Sequence, residues 1–495
     1  MQQNDFLQRE ETLDPDDWTA DRQLGGEMVA DMMQFLQNVR SRAAWQPPSP
    51  QAKAHFKAEV PLEGMALEKV YAEFKKYILP YPTGNIHPRF WGWVMGNGSS
   101  SAMLADMLAS AINLNQGGGN QIGGWVEAQV INWFKKLFSF PDEASGLVVS
   151  GGSMANLIGL TVARYAKAGY DLRKEGVYGA KKRMMVYASS EVHNCSNKAV
   201  ELLGLGSDSL RLIAVNDQYQ MDLTALALQI SKDREEGRQP FCIVGNAVTV
   251  NTGAVDDLQA IADLCEKENL WFHVDGAIGA MLALSEKYRH LIKGMERADS
   301  IAFDLHKWMY IPYEAGCTLV RKGLQHYQAF SMHADYLAHE DRGVAAGDIW
   351  FSDYGVELSR GFKALKIWMS MKEHGVKKLG RLVAQNVEQV QYLKSLIADN
   401  SKLELLAPAP VNILCFRYVV PSLGPEQLNK LNKELLLRMH ESGVAVPSYT
   451  VLQGRYALRV ANTNHRTRRA DFDLLISKVI ELGDALADEY SKPLQ

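Results

Sequence analysis

The arrangement of hydrophobic residues differs between three successive parts of this chain. In the first part Leu24, Met28 and Met32 recur at helical spacing, which predicts an amphipathic helix. A proline-rich break separates it from a second predicted helix around residues 67–77. We therefore expect a helical N-terminal arm over residues 1–86, whose apolar stripe packs on another domain or another subunit.

From residue 87 onwards, short uninterrupted apolar runs alternate with helical segments. Such runs are typical of strands that are buried on both faces of a mostly parallel sheet. They predict a large α/β domain over residues 87–375. A helix, a further strand and a charged helix then predict a smaller α+β domain over residues 376–495. Examples of these apolar runs are Gly146–Val149, Met184–Tyr187, Phe241–Val244, Trp271–Val274 and Ser300–Phe303.

Composition changes this picture mainly by exclusion. The 495 residues are 47% hydrophobic and 22% charged, as in ordinary globular proteins. The net charge of -4 and the lack of basic clusters argue against nucleic-acid binding. The most apolar helical stretch, at residues 102–108, is too short to cross a bilayer, so we expect no membrane partner. The five widely spaced cysteines favour free thiols in a reducing, cytoplasmic compartment over disulfides or a metal site.

Polar residues follow the apolar runs, at the strand ends where ligands collect in open α/β sheets. Asp275 is either a helix cap or the partner of a protonated ring nitrogen, with Ala277 small enough to let a flat ring lie against it. Lys307, between His306 and Trp308, is either an exposed lysine or a partly desolvated amine. Desolvation would bring the amine closer to its neutral, nucleophilic form.

Two further strand ends carry groups that suit a flat anionic ligand. Gly152 and Ser153 lie between a strand and a helix start, where free N–H groups and the helix dipole can cradle an anion, although Gly-Gly-Ser turns are common. His193 opens the next helix and is either structural or a stacking partner for a ring. Each feature alone has a structural explanation. Together, in this order, they fit one ligand, pyridoxal 5'-phosphate (PLP), bound to Lys307 as a Schiff base.

Three motifs resemble those of the group II PLP-dependent amino-acid decarboxylases, the family of the aromatic-L-amino-acid, histidine, tyrosine and glutamate decarboxylases. They are Ala-Met-Leu-Ala-Asp-Met-Leu at 102–108, His-Val-Asp-Gly-Ala at 273–277 and Asp-Leu-His-Lys-Trp at 304–308. The resemblance runs from about residue 60 to about 380 and extends more weakly to the C-terminus. It implies a fold-type I PLP-dependent transferase-like α/β fold, and a carboxy-lyase that forms a homodimer with active sites at the interface.

The resemblance also implies roles for individual residues. Lys307 becomes the Schiff-base lysine with His306 beside it, and Asp275 becomes the partner of the pyridine nitrogen. Ala277 becomes a ring contact, and His193 becomes the stacking base and an alternative to Tyr336 as the proton donor. The remaining implied cofactor contacts are Gly152, Ser153, Met154 through its backbone, and Thr249, which follows Val248 where the family commonly has glycine.

Substrate-side residues are implied in the same way. Tyr336 resembles the mobile-loop tyrosine that closes over the neighbouring subunit's site, which makes it a candidate proton donor; the alternative is a tyrosine that anchors a surface loop. Trp91, Trp93 and Val94 align with the substrate-side wall and suggest an aromatic slot, although such side chains are more often core. Ser359 falls where relatives have glycine or serine beside the substrate ring.

The expected activity is therefore decarboxylation of an aromatic L-amino acid to its amine and CO2. The alternatives are decarboxylation of a non-aromatic amino acid such as glutamate, aspartate or histidine, and oxidative decarboxylation to an aldehyde. Relatives that form aldehydes replace the loop tyrosine, so Tyr336 favours the amine. A carbon–carbon lyase for phosphorylated amino alcohols would need an extra phosphate subsite, which is not evident. A catalytically silent protein on this fold is a further alternative, which the competent residues at every matched position disfavour.

Overall fold

The computed structural model describes residues 12–332, 340–347 and 349–491, and in these residues two β-sheets are covered by helices. The helices are α1 Trp18–Gln37, α2 Pro50–His55, α3 Leu67–Glu73, α4 Ser100–Ile112, α5 Ile122–Leu137, α6 Gly152–Lys167, α7 Leu172–Glu175, α8 Cys195–Leu202, α9 Leu223–Glu235, α10 Leu258–Glu268, α11 Leu305–Trp308, α12 Gly323–Phe330, α13 Lys363–Ala398, α14 Pro425–Glu441 and α15 Arg469–Ser491. The strands are β1 Phe90–Trp91, β2 Ser145–Val149, β3 Met184–Ser189, β4 Leu210–Ile213, β5 Gln239–Asn246, β6 Trp271–Asp275, β7 Ser300–Asp304, β8 Gly316–Val320, β9 Leu403–Leu405, β10 Ile413–Tyr418, β11 Val446–Leu452 and β12 Arg455–Ala461.

The larger sheet has the strand order β2-β8-β7-β6-β5-β3-β4. Its strands are parallel except for β8, which pairs antiparallel with both β2 and β7. The predicted α/β domain with a mostly parallel sheet is confirmed, and the five predicted apolar runs form β2, β3, β5, β6 and β7. The sequence pattern did not predict β4 or β8.

The register of this sheet brings polar residues together at one edge. Asn246 at the end of β5 is paired with Asp275 at the end of β6. Asp275 is in turn paired with Ala302, two residues before Asp304 ends β7. Helix α6 begins at the same edge, directly after β2. Groups from distant parts of the sequence therefore meet at the carboxyl ends of neighbouring strands, where ligands bind in open α/β sheets.

A continuous apolar core fixes this edge of the sheet. Side chains such as Phe303, Ile301 and Val274 are fully buried between the sheet and its covering helices. Full burial of a side chain of this size contributes about 1.5–3 kcal/mol. The strand ends are therefore rigid supports for the polar side chains that follow them.

The smaller sheet has the strand order β1-β11-β12-β10-β9 and packs against α14 and α15. Strand β1 pairs in parallel with β11, with Phe90 opposite Val446. Residues just after the expected boundary at 86/87 therefore join the small sheet, a pairing across more than 350 residues that local patterning does not reveal. The expected boundary at 375/376 falls inside α13, which is kinked at Gly375, where φ is +69°.

The N-terminal arm contacts the small domain of the same chain. Arg40 forms an ion pair with Asp471 at 2.7 Å, and the Ala44 N–H donates to the carbonyl of Gly443 at 2.8 Å. Along α1, Leu24 is buried and Met28 and Met32 are half-buried, so the predicted apolar stripe is only partly covered in this chain. None of the helices in the described part of the chain is both long and apolar enough to cross a membrane.

Candidate active site

A cavity of about 390 Å³ opens at the carboxyl ends of the central parallel strands, beside the start of α6. Residues from at least six separate segments form its wall, and many of them are polar. Those that matter to its chemistry are Gly152, Ser153, Met154, Asn156, His193, Cys195, Asn246, Asp275, Ala277, Asp304, His306, Lys307 and Tyr313. Eight of the nine predicted cofactor contacts thus line one cavity.

Lys307 lies on the wall of this cavity in an ion pair. Its Nζ is 2.7 Å from Oδ2 of Asp304, and the Asp304 side chain is only 1% exposed. Asp304 ends β7 and Lys307 lies in the short helix α11 that follows, so a single helical turn brings the two side chains together. A carboxylate buried to this degree requires a cationic or hydrogen-bonding partner.

The protonation of Lys307 differs from the expectation drawn from the sequence. Desolvation lowers the pKa of the amine, as expected, but the charges of Asp304 and Asp275 outweigh it. The net result is a pKa raised above the ordinary value of 10.5. The expectation of an amine shifted towards its neutral form is therefore wrong. It considered the burial of Lys307 but not the Asp304 carboxylate, which lies one helical turn away.

Asp275 ends β6 and holds its two carboxylate oxygens in different environments. Oδ1 accepts the N–H of Ala277 at 3.0 Å, which closes the local turn. Oδ2 lies 4.0 Å from Sγ of Cys195, whose pKa burial raises to about 12, so the thiol keeps its proton. The capping and the ligand-binding interpretations are therefore compatible, since Oδ2 can still accept a hydrogen bond from a ring N–H.

Gly151 to Met154 form the turn from β2 into α6. The N-cap residue Gly151 has no side chain, and within the described residues no side chain caps this helix. Its first-turn N–H groups therefore lack intrahelical acceptors, and the helix dipole adds positive potential beside the Ser153 hydroxyl. This donor set fits a phosphate group. With Lys307 and Asp275 on the same cavity, the residues present fit PLP.

Two imidazole rings also line the cavity. His193 accepts the N–H of Cys195 on Nδ1 at 3.2 Å, so its neutral ring carries the proton on Nε2. His306 accepts the N–H of Ala315 on Nδ1 at 3.2 Å. Burial lowers the pKa of both rings below the ordinary 6.5. Both are therefore neutral at pH 7, and a neutral imidazole suits a stacking contact.

A buried chain of hydrogen bonds supports the cavity wall from behind. Trp271 donates to the Ser300 hydroxyl at 2.8 Å, and that hydroxyl lies 2.8 Å from Nδ1 of His273. Nε2 of His273 lies 2.8 Å from Oδ1 of Asn156, whose amide donates to the Gly152 carbonyl at 2.8 Å. Burial lowers the pKa of His273 to about 3, so this histidine is a neutral link. The chain ties β6 and β7 to the first turn of α6.

The structure places Thr249 beside the cavity and not on its wall. The Thr249 hydroxyl lies 3.2 Å from the hydroxyl of Thr252 and accepts the N–H of Ala254 at 3.0 Å. Its neighbours Val248 and Val250 line the cavity instead. In this geometry Thr249 closes a turn, and its implied approach to the cofactor is not seen.

The predicted substrate-side residues are not part of this cavity as the described residues form it. Trp91 is 1% exposed and stacks on Phe472 in the core of the small domain, because β1 belongs to that sheet. Val94 is buried in the large core. Trp93 is 57% exposed, and Ser359 is also exposed. Tyr336 lies outside the described residues.

Several polar residues of the cavity wall were not predicted from the sequence. Asn246 and Asp304 occupy the same strand-end position as Asp275, on the two neighbouring strands. Polar residues at the ends of successive apolar runs were the pattern that could have revealed both. Cys195 and Tyr313 lie in segments without such a pattern.

The family model of the pyridoxal-dependent decarboxylase conserved domain matches residues 50–419 of this chain, which is well over half of its length. This protein belongs to the pyridoxal-dependent decarboxylase family. It is therefore a PLP-dependent carboxy-lyase, in agreement with a cavity that fits PLP. The resemblance noted in the sequence is confirmed at the level of the family.

Two curated relatives and one solved structure show how far the likeness extends. An aromatic-L-amino-acid decarboxylase from Bacillus atrophaeus is 35% identical over 411 residues, which cover 82% of this chain and 83% of the relative. A phenylacetaldehyde synthase from Petunia hybrida is 24% identical over 479 residues, 92% of each chain. The structure of Oryza sativa TDC with PLP and tryptamine has a TM-score of 0.88 at 23% identity, covering 96% of this chain and 100% of the other. The last likeness is one of fold.

Proposed function

We propose that this decarboxylase converts an aromatic L-amino acid to the corresponding amine and CO2, with Lys307 as the lysine that holds PLP. The observation that carries the proposal is one cavity in which an ion-paired lysine, the Asp275 carboxylate and the start of α6 converge. A lysine, an acid and an anion cradle are the three groups that the aldehyde, ring nitrogen and phosphate of PLP require.

Each cavity residue then has a defined task. The first-turn N–H groups of α6 and the Ser153 hydroxyl bind the phosphate, and Met154 contributes its backbone. Oδ2 of Asp275 holds a proton on the ring nitrogen, Ala277 leaves room beside the ring, and His193 stacks on its face. PLP, when bound, accepts the electron pair that the departing CO2 leaves behind. His306 is the neutral ring next to Lys307 in the sequence, held by the Ala315 N–H and the Tyr313 ring.

The aromatic substrate class rests on similarity and on surface chemistry. The Bacillus atrophaeus relative that is 35% identical to this chain is named for aromatic L-amino acids, which supports the same class of substrate here. On this chain Trp93 and Ser359 are exposed and free to contribute an aromatic surface and a hydroxyl to a site shared between subunits. Trp91 and Val94 are core residues in this chain, so the proposed substrate contacts are Trp93 and Ser359.

The proposed product is the amine, with Tyr336 as the proton donor. Similarity to a phenylacetaldehyde synthase makes oxidative decarboxylation the second candidate. The two differ in product: the second yields an aldehyde, ammonia and peroxide. We expect Tyr336→Phe to retain bound PLP and to form less amine, whereas an unchanged amine yield would remove the proposed role of Tyr336.

A substrate panel tests the proposed activity. The purified protein, loaded with PLP, is incubated separately with tryptophan, tyrosine, phenylalanine, histidine, glutamate and aspartate, and CO2, amine and aldehyde are measured in each. We expect CO2 and amine in equal amounts from at least one aromatic substrate. Release of CO2 only from acidic substrates, or aldehyde in place of amine, would overturn the proposal.

We also propose that the protein is a cytoplasmic homodimer with active sites at the subunit interface. Several large apolar side chains of the arm and of α4 and α5 are exposed on the single chain, and a second subunit would cover them. All five cysteines lie in the described part of the chain, where they are buried and unpaired, which supports a reducing compartment. The exposed side chains are Trp18, Leu67, Val70, Met107, Leu108, Ile112, Ile122 and Trp125.

A further inference from the structure

Asp304 presents a buried carboxylate to the reactive lysine in an unusual setting. Oδ2 is 2.7 Å from the Lys307 nitrogen. Oδ1 is buried without a hydrogen-bond partner among the described residues, and Nε2 of His306 is 3.6 Å from it. A buried carboxylate oxygen that accepts no hydrogen bond lowers the stability of the folded protein, so the presence of Asp304 at this position calls for an explanation.

Asp256 is a buried acid with a structural role, and its hydrogen bonds differ from those of Asp304. Asp256 is also buried in the large domain, but its oxygens accept the N–H groups of Met221 and Asn246, both at 2.8 Å, and the Asn246 side chain. Its bonds fix the backbone of two segments. Asp304 accepts no backbone N–H among the described hydrogen bonds, and its short contact is with Lys307.

The turn into α6 leaves room for this carboxylate. A Cβ atom on Gly152 would lie 2.7 Å from Oδ2 of Asp304, closer than real Cβ contacts allow. A Cβ on Gly151 would lie 3.5 Å from Oδ1. The glycine at position 152 therefore serves the approach of Asp304 as well as the anion cradle that the sequence suggested.

We propose that Asp304 is a positioning and proton-exchanging residue for Lys307. Its carboxylate holds the lysine nitrogen at the cavity wall and relays the proton that this nitrogen gives up on joining the cofactor aldehyde. The inference rests on the proposed role of Lys307 and adds a partner that sets its protonation.

The bond-forming step balances with Asp304 as the relay. The Lys307 ammonium gives one proton to Oδ2, and the freed electron pair of Nζ attacks the aldehyde carbon. The aldehyde oxygen takes up two of the three ammonium protons, one of them returned by Asp304, and leaves as water. The nitrogen keeps the third proton and one positive charge, and Asp304 is again a carboxylate. No oxidant or reductant is needed.

Charges around the nitrogen determine the direction of the expected effect. Asp304 from β7 and Asp275 from β6 favour the protonated nitrogen, as does Tyr313 when ionised, while burial opposes it. His193 and His306 also face this region and are neutral at pH 7 because burial lowers their pKa. Removal of the Asp304 charge should therefore favour loss of the proton.

The test is a pH titration of the visible absorbance of the PLP-loaded protein, which reports protonation of the nitrogen that joins Lys307 to the cofactor. In Asp304→Asn we expect the titration midpoint to fall by about 1 to 3 pH units, the effect of an opposite charge within 4–6 Å. Asp299→Asn is the matched control, because Asp299 directly precedes the same strand, at the opposite end from Asp304, and accepts the N–H of Phe272 at 2.9 Å. It should leave the midpoint unchanged.

Other outcomes also decide the matter. A folded Asp304→Asn protein that no longer retains PLP, beside a control that does, supports the proposal, since attachment then depends on the carboxylate. If Asp304→Asn does not fold, as judged by circular dichroism, Asp304→Ser is titrated in its place. An unshifted midpoint in the folded variant would overturn the inference. Borohydride reduction and peptide mapping on the same samples test Lys307 separately, so failure of the parent proposal would be recognised.

Discussion

Asp275 and Asp304 end neighbouring parallel strands, yet the protein holds their carboxylates in different ways. One oxygen of Asp275 is fixed by the Ala277 N–H, which leaves the other for a ligand. Asp304 instead pairs with Lys307. Two acids that flank one lysine give the cavity an excess of negative charge, which suits a ligand whose ring nitrogen is protonated.

At the residue scale, the decisive acid for turnover is Asp275. Asp275→Asn keeps the shape and removes the charge that would hold a proton on the ring nitrogen. We expect kcat for amine formation to fall by at least about 100-fold, a loss typical of a proton-holding group, with a smaller change in KM. Steady-state kinetics of the PLP-loaded variant measure this; a kcat within threefold of the wild type would contradict the role of Asp275.

At the scale of secondary structure, the buried ion pair of Arg360 and Glu127 connects β2, the strand that leads into the anion cradle, to the segment around residue 360. Arg360 donates to Glu127 of α5 at 2.6 Å and also to the Val148 carbonyl of β2 at 2.6 Å. Glu127 in turn accepts the Val148 N–H at 3.0 Å. The segment that carries Ser359 is thereby fixed to the strand that leads into α6.

The loss of one partner of this pair should be costly. Arg360→Leu leaves Glu127 as a buried charge without its cation, and we expect the free energy of unfolding to fall by about 3–5 kcal/mol. Arg438, whose pair with Glu489 lies on the surface, is the control, and Arg438→Leu should cost less than about 1 kcal/mol. Urea unfolding of the three proteins measures both values, and equal losses would contradict the distinction.

Sequence patterns predicted the elements of the cavity better than the residues of the substrate wall. The apolar runs that form β6 and β7 are local patterns in the sequence. The proximity of Asp275 and Lys307 follows from the order of these two strands in the sheet. Trp91 could not be assigned in this way. Its place in the core depends on the pairing of β1 with β11, whose partners are far apart in the sequence.

Two contacts near the cavity, the ion pair of Lys307 and the hydrogen bonds of Thr249, were not predicted from the sequence. The ion pair of Asp304 and Lys307 could have been predicted from their spacing, because side chains three residues apart meet in a helix. The position of Thr249 could not, since its hydroxyl bonds to Thr252 and Ala254 in a turn that has no sequence signature of its own. Turn geometry decided that outcome, not residue type.

At the scale of the whole molecule, the exposed apolar side chains of the arm, α4 and α5 favour a second subunit. We expect light scattering to give twice the mass of the chain. Trp125→Asp should shift the protein towards the monomer, because a charge would then face the partner. Leu474→Asp, on α15 of the small domain, is the control, since Leu474 is also exposed. A monomeric wild-type protein would contradict the dimer.

Buried histidines make the whole molecule sensitive to acid. In the described residues, burial lowers the pKa of His87, His326 and His465 to about 4 and that of His273 to about 3. The unfolded chain, with a pKa near 6.5, then binds more protons than the folded chain as the pH falls below 6.5. Each histidine should therefore remove up to about 1.4 kcal/mol of stability per pH unit between pH 6.5 and about 4.

Urea unfolding at pH 7.5, 6.5, 5.5 and 4.5 measures this slope. We expect stability to be constant above pH 6.5 and to decline below it. In His326→Gln the decline should be less steep, because one buried imidazole is gone. Stability that does not change between pH 7.5 and 4.5 would show that these histidines are protonated in the folded protein.

The central claim is that Lys307 holds the cofactor, and its most direct measurement is borohydride reduction of the PLP-loaded protein followed by peptide mass spectrometry. Reduction makes the link between lysine and cofactor permanent. We expect one pyridoxyl group per chain on the peptide that contains Lys307, and none in Lys307→Ala. A label on a different lysine, or an unlabelled Lys307 peptide in a protein that decarboxylates its substrate, would contradict the account.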